Sequence, residues 1–405
     1  MTRPRLLYVS EKPPWPKDSG GNIRTYYLVE ALARHYDLTL LSTDDGSPTL
    51  AEGRRILEGF CSEVEFVPDT KQRGGRGMAW GVLASLLHGR PAVLQYNENP
   101  HLRAAAERRL TTGSYDFLHL SQVDTSVYFD LAATPTCVID TQNVLFEYYE
   151  RRAEHEQSAL RRWACRREGR LLRRFEPELF ASVASTIVCS EEERETLHAV
   201  DASLSVEVIP NGVDCDYFET VDVAGAAAPA DLIFVGDMGY GPNQDACEFF
   251  IEDVLPLVRA RVPEARFLAV GKNPSQALRD IGASRDEVIV TGFVDDVRDW
   301  LRKAGVYVVP IRYGSGTRLK VLEAFASGLP TVSTSIGAEG IDYTRGSDIE
   351  IADEPEALAA AICGLIEDRT RAAQLGRNAR MTAESRYAWP AIGARMVALH
   401  ESLSE

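Results

Sequence analysis

The sequence has no C-x-x-C pair, no long apolar run and no surplus of basic residues. Its seven cysteines, at 61, 137, 165, 189, 215, 247 and 363, are odd in number and widely scattered. That argues for reduced thiols and against a disulfide framework or a structural zinc site. The longest mostly apolar stretch, Met78 to Leu87, falls well short of the roughly 20 residues that span a bilayer. The first residues, M-T-R-P-R-L-L-Y-V-S-E-K, lack a signal-peptide core and pass directly into a buried-strand pattern. A cytoplasmic location is expected. Lysine and arginine number 44 against 60 acidic residues, for a net charge of −16. The deficit is uneven, with net −4 over residues 1–205 and net −12 over residues 206–405. Nucleic acid is therefore a poor partner. A G-x-G-x-x-G fingerprint is also missing. Ser19-Gly20-Gly21 has no third glycine, and only Asp44 or Asp45 stands near the place of its acidic partner, which excludes an ordinary dinucleotide-binding dehydrogenase.

What is present is a regular alternation of short apolar runs and amphipathic stretches over 405 residues, enough for two cores. Strands are predicted at Arg5–Ser10, Leu38–Ser42, Val64–Val67, Phe117–Leu120, Thr136–Asp140 and Thr186–Ser190, with a helix over Ile23–His35. The second half repeats the scheme. Strands fit Asp231–Val235, Arg266–Val270, Val288–Thr291, Val306–Pro310, Pro330–Ser333 and Ile349–Ile351. Helices fit Asn243–Val262, Asp296–Ala304, Arg318–Ala326 and Pro355–Asp368. The pattern implies an α/β protein of two doubly wound Rossmann-like domains, each with a parallel sheet covered on both faces. The expected division is residues 1–205, residues 206–388, and a final helix from residue 389 to 405 that crosses back to the first domain. The turn signal Ile209-Pro-Asn-Gly-Val-Asp214 and the Ala- and Gly-rich segment Val221–Pro229 lie near the first boundary. In open α/β sheets ligands sit at the carboxyl ends of strands. The loops Pro13–Gly21, Asp140–Asn143, Gly236–Asn243 and Gly314–Thr317 are thus expected to converge on a cleft between the domains.

The most informative stretch is Y-G-S-G-T-R-L-K-V-L-E-A-F-A-S-G-L-P-T-V-S-T, Tyr313 to Thr334. A glycine-bracketed loop enters a helix there, and a helix N-terminus offers unpaired N–H groups and a positive dipole end to a phosphate. Arg318 and Lys320 in the first turns oppose that dipole unless something anionic binds. Glu323, one turn on, can accept two ribose hydroxyls. Solvated cations and an ordinary surface acid are the plainer reading of the same residues.

With that block, the chain resembles retaining nucleotide-sugar glycosyltransferases of the GT-B fold, family 4 (glycosyl transferases group 1), in the subset with a G-S-G-T-R-L-K-x-L-E-A block. The resemblance runs through S-G-G-N-I-R, V-I-D-T-Q-N, S-E-E-E-R, I-P-N-G-V-D, F-V-G-D-M-G-Y-G-P-N and V-T-G-F-V-D-D-V. It implies transfer of a hexose-type sugar from a nucleoside-diphosphate sugar to an acceptor it does not name. No cofactor is implied, and no metal, since no D-x-D motif stands where sugar transferases of the other fold class use one. By the same resemblance, Glu323 holds the ribose. Gly20, Gly21, Thr317, Arg318 and Lys320 hold the diphosphate, and Gln142, Asn143, Ser315 and Gly316 touch the donor sugar.

Three departures from the family stand out. Ser315 replaces a glutamate, and the loop Gly236–Asn243 carries no cation, so Arg318 and Lys320 are assigned that task. Gln142 replaces a histidine, and an amide hydrogen-bonds a hydroxyl but cannot serve as acid or base. These departures motivate a second reading, a nucleotide-sugar-binding protein without turnover. A third, a nucleotide-sugar epimerase, needs acid–base carboxylates that Gly314–Thr317 does not offer. On the acceptor side Arg24, His119 and Asp124 are candidates, together with Gln122. The segment Arg151–Arg174, with nine arginines and apolar residues at near-helical spacing, reads as a domain helix or as a weak peripheral membrane contact. The final helix, from Trp389, aligns Ile392, Met396, Leu399 and Leu403 on one stripe for packing on a neighbour.

Overall fold

The computed structural model describes residues 3–44, 46–69, 85–86, 88–96, 98–156, 158–223, 230–314 and 318–404. Ser315, Gly316 and Thr317, residues 224–229 of the Ala- and Gly-rich segment, and most of Met78–Leu87 lie outside the described residues. The chain folds as two compact units, unit 1 being Met1–Pro210 with Ile392–Glu405 and unit 2 being Asn211–Ala391.

Unit 1 is a seven-stranded parallel sheet in the order β3-β2-β1-β4-β5-β6-β7. Its strands are β1 Arg5–Ser10, β2 Asp37–Asp44, β3 Glu63–Pro68, β4 Phe117–Ser121, β5 Thr136–Asp140, β6 Ser185–Val188 and β7 Val206–Val208. The crossovers run through α1 Gly20–Ala33, α2 Leu50–Glu58, α3 Pro100–Thr112, α4 Leu145–His155, α5 Ala159–Phe180 and α6 Glu191–Val200. The strands β1, β4 and β5 are buried almost throughout, as a sheet covered on both faces requires. β7 is only three residues long, V-E-V, too short to register as a periodic run.

Unit 2 repeats the winding in six parallel strands, β10-β9-β8-β11-β12-β13. They are β8 Asp231–Val235, β9 Arg266–Val270, β10 Val288–Gly292, β11 Val306–Val309, β12 Thr331–Ser333 and β13 Glu350–Ile351. In both sheets the order reverses beside the first strand, between β1 and β4 and between β8 and β11. This is the switch point at which doubly wound folds bind ligands. Separate cores of Leu, Val, Ile and Phe underlie the two sheets.

Several expected helices differ in detail. The helix expected over Asn243–Val262 is interrupted, with α7 Gly241–Phe249, a π-turn Phe250–Val254 and α8 Leu255–Arg261. Pro256 at the start of α8 has no N–H to give the preceding turn. The helix expected over Asp296–Ala304 shrinks to Arg298–Leu301. Beyond α9 Gln276–Ser284, the glycine block yields α10 Leu319–Ala326, followed by α11 Pro355–Glu367, α12 Arg369–Thr382 and α13 Trp389–Ser402. The basic segment Arg151–Arg174 is two helices, α4 and α5, because Ser158 caps a new start. Arg151 pairs with Glu147 and Arg173 with Glu150, as in an ordinary helical pair. No helix among the described residues is long and apolar enough to cross a membrane.

Helix α13 begins in unit 2 and belongs to unit 1 from Ile392 onward. Gly393 accommodates it, since a Cβ there would lie 2.5 Å from Ala31 Cβ of α1. His400, fully buried, closes the contact. Its Nδ1 lies 3.0 Å from the Met396 carbonyl and its Nε2 3.3 Å from His119 Nδ1. Donation by Nδ1–H to that carbonyl leaves Nε2 to accept from His119. The His119 ring stacks on Tyr8 at 4.4 Å. Burial holds His119 well below the ordinary imidazole value and His400 at about 4.

These histidines are neutral when folded and titrate near 6.5 when unfolded. Acid therefore favours the unfolded chain. The pair's contribution should shrink as pH falls from about 6.5 to about 4, by up to about 3 kcal/mol for His400. Burial acts oppositely on Glu176 and Glu193, raising them to about 8 and about 7. The comparison to make is therefore wild type against His119→Phe/His400→Leu, by urea unfolding at pH 7 and pH 4.5. The wild type should lose more stability between those pH values than the double variant. Parallel pH profiles would refute the account.

Candidate functional site

At the carboxyl edge of unit 2, β8 ends at Val235 and the chain turns through Gly236 to the N-terminus of α7. Gly271, after β9, has φ +146°, and a Cβ there would meet Gly236 O at 1.8 Å. The two strand ends thus touch backbone to backbone, which only glycine allows. The loop holds itself in shape by Asn243 Nδ2 donating to Asp237 O at 2.9 Å and Asn273 Nδ2 donating to Asp237 Oδ1 at 3.1 Å.

Into this cation-free loop α10 sends Lys320. Its Nζ donates to Asn243 Oδ1 at 2.6 Å and sits 4.2 Å from the Phe234 ring centroid. A Cβ on Gly236 would lie only 3.1 Å from it. Burial and the neighbouring Arg318 bring its ammonium down to about 7, with Cys247 and Glu323 opposing. Among the described residues Lys320 forms no salt bridge, Glu323 acting on it only from longer range, so the site lacks the close counter-charge that a desolvated cation needs.

Arg318, 6% exposed, occupies the cap position of α10 and gives its side chain to no helix amide. Its Nε faces Ile336 O at 3.4 Å and its guanidinium lies 3.9 Å from Glu339. Gly314, at φ +124°, passes within 3.2 Å of the guanidinium at its Cβ position. Glu323 is half-buried one turn beyond Lys320. Burial raises its carboxyl and Lys320 partly offsets that. Cations and an acid are therefore gathered at the β8–β11 switch point. Ser315, Gly316 and Thr317, expected beside them, lie outside the described residues.

Unit 1 has its own polar cluster at the β1–β4 switch point. Gln142 follows β5 at φ +56° and Gln122 follows β4 at φ +74°, a conformation that non-glycine residues seldom adopt. Gln122 Nε2 donates to Gln142 Oε1 at 3.0 Å, and Gln142 Nε2 lies 3.3 Å from Ser121 Oγ. Gly21, in the first turn of α1, packs on this pair, since a Cβ there would meet Gln142 Oε1 at 2.9 Å. Its glycine has a packing reason independent of any phosphate. Gly20 is exposed at the helix start and Asn143 is half-buried.

Two acceptor-side expectations are corrected. Arg24 is 1% exposed. Its Nε and one terminal nitrogen hold Asp140 at 2.7 and 2.9 Å, and its guanidinium also donates to Ile209 O and Pro210 O. It is a structural strut from β5 to the end of unit 1. His119 is fully buried between Tyr8 and His400, so it has no surface to offer an acceptor. Asp124 is buried in the 3₁₀ turn Val123–Tyr128. Among the described residues, no group of three or more His, Cys, Asp and Glu could hold a metal ion.

Residues 19–217 match the model described as Glycosyltransferase Family 4, and residues 229–368 match Glycosyl transferases group 1. The chain is built of glycosyltransferase family 4 and group 1 domains. Curated relatives include a lipopolysaccharide core biosynthesis mannosyltransferase of Rhizobium meliloti, 27% identical over 42% of this chain. A phosphatidyl-myo-inositol mannosyltransferase of Mycolicibacterium smegmatis is 26% identical over 58% of it. The chain spans only 52% and 60% of these relatives' own lengths. Among solved structures, sucrose-phosphate synthase from Thermosynechococcus elongatus superposes with a TM-score of 0.70 over 99% of both chains at 19% identity. HepE of Anabaena, solved with UDP-glucose, superposes with a TM-score of 0.65 over 98% of this chain and 99% of its own at 16% identity. The glycosyltransferase domains thus carry the α/β GT-B fold of two parallel sheets.

Proposed function

We propose that the protein is a retaining glycosyltransferase that moves a hexose-type sugar from a nucleoside-diphosphate sugar to a hydroxyl acceptor. The observation that carries this reading is Lys320 Nζ, set against Gly236 and Asn243 at the end of β8 with no salt bridge to a carboxylate among the described residues. A diphosphate supplies the missing charge, and Arg318 and the open N-terminus of α10 add to its hold. Glu323 accepts the ribose hydroxyls.

Departure of the diphosphate breaks the bond from the anomeric carbon to phosphate oxygen and builds negative charge on that oxygen. Lys320 and Arg318 are fixed where this charge grows, which is preorganised electrostatic stabilisation. The acceptor hydroxyl forms its bond to the anomeric carbon on the face the diphosphate leaves, and its proton passes to the departing phosphate oxygen. No protein acid or base is required, in keeping with an amide at Gln142.

Glu323→Gln turns charged hydrogen bonds to ribose into neutral ones and should cost on the order of 1.5–3 kcal/mol of nucleoside-diphosphate affinity. Isothermal titration should show a similar loss for a 2′,3′-dideoxy nucleotide on the wild type and little further loss on the variant. Full additivity of the two would remove Glu323 from the ribose.

A further inference from the structure

The polar cluster of unit 1 contains a side chain that the sugar-transfer chemistry has not yet used. Gln142 is nine-tenths buried, and its amide is spent inside the protein. Its oxygen accepts from Gln122, and its nitrogen faces Ser121 Oγ and, at 3.5 Å, Thr25 Oγ1. Those two hydroxyls also bond each other at 3.3 Å. Gln122 is half-buried at the carboxyl end of β4. Only its nitrogen is engaged, so its second amide atom has no partner among the described residues.

The two amides are linked end to end. Ser121 and Thr25 hydroxyls can donate or accept, so both amides can flip together and keep the bond between them, with one of the three contacts among Gln142, Ser121 and Thr25 given up. Gln122 then turns either a carbonyl oxygen or an N–H outward. A group that can present acceptor or donor at one point suits a sugar hydroxyl, which is itself both. The two left-handed backbones, at φ +74° and +56°, hold the pair at the β1–β4 switch point. Non-glycine residues keep such conformations only where their surroundings enforce them.

We infer that Gln122 makes the hydrogen bond from unit 1 to a sugar hydroxyl and that Gln142 is its positioning residue. This inference rests on the sugar-transfer reading above. It moves the sugar contact from Gln142 to Gln122 and gives Gly21 its purpose, since any side chain there would displace the Gln142 oxygen. The hydroxyl belongs either to the donor sugar or to a sugar acceptor.

The test is steady-state turnover of wild type, Gln122→Ala, Gln122→Met, Gln142→Ala and the double alanine variant. The donors are glucose and mannose linked to uridine, guanosine, thymidine or adenosine diphosphate. One arm uses water as acceptor and the other adds methyl α-glucoside or methyl α-mannoside. Both Gln122 variants should lower kcat/KM roughly 3- to 10-fold, with melting temperature and nucleoside-diphosphate affinity unchanged. Gln142→Ala should lose a similar factor, and the double variant no more than the larger single loss. A loss already present with water marks a donor-sugar contact, and a loss seen only with added glycoside marks an acceptor contact. Either supports the inference. Unchanged kcat/KM in both arms for Gln122→Ala and Gln122→Met overturns it while leaving sugar transfer standing. A wild type inactive on every donor overturns both.

Discussion

Replacing Lys320 with alanine should weaken nucleoside-diphosphate binding roughly 10- to 150-fold, the factor that a charged hydrogen bond of about 1.5–3 kcal/mol commands. The free nucleoside should bind as before. Arg318→Ala should show the same contrast. The pH profile adds an independent signature. In the free protein the Lys320 ammonium titrates at about 7, so above that pH it is mostly neutral. A bound diphosphate favours the charged form, and binding must then take up a proton. Affinity should fall as pH rises from about 7.5 to 9, approaching tenfold per unit, and Lys320→Ala should abolish that slope. Isothermal titration in buffers of different ionisation enthalpy measures the proton uptake directly. Equal losses for nucleoside and diphosphate, or a flat profile in the wild type, would separate Lys320 from the phosphate.

The second large effect belongs to the buried ion pair of Arg24 and Asp140, 1% and 0% exposed. Asp140 receives two charged hydrogen bonds from Arg24, and the carbonyls of Ile209 and Pro210 receive the rest of the guanidinium. Arg24→Ala leaves a carboxylate buried with no cation beside it, which costs about 3–5 kcal/mol when such a pair is broken from one side. Asp140→Ala leaves the guanidinium in the same position and should cost a similar amount. Arg24→Met/Asp140→Leu should lose clearly less than the two single losses combined, because neither charge is then stranded. Native-state hydrogen exchange of the β4 and β5 amides reads these differences. A single variant that exchanges like the wild type would mean that the pair contributes nothing net.

The fold was open to sequence reading because its strands are buried on both faces. L-L-Y-V-S, F-L-H-L and D-L-I-F-V are apolar without alternation, and helices separate them at regular intervals. The strand β7 and the π-turn after α7 escaped for local reasons, three residues in one case and the reach of Pro256 in the other. The grouping of Arg318, Lys320 and Glu323 was legible because the three share one short block. Lys320's partner, Asn243, stands 77 residues away, and no local pattern connects them. The same limit explains Arg24 and His119. Each looks like a free polar group in its own segment, and each bonds a residue more than a hundred positions distant, Asp140 and His400. Polar residues buried by long-range pairing give no periodic signal, so the sequence left Arg24 and His119 as acceptor-side candidates.

Turnover of nucleotide sugars by the wild type beside Lys320→Ala tests the central claim most directly. Nucleoside diphosphate released from a panel of uridine, guanosine, thymidine and adenosine diphosphate sugars is followed with and without a chelator. The account predicts release from at least one donor, unchanged by chelator and lowered by about two orders of magnitude in Lys320→Ala, as for removal of one preorganised donor. Tight binding of a nucleotide sugar with no release from any donor would contradict it and leave a binding protein without turnover.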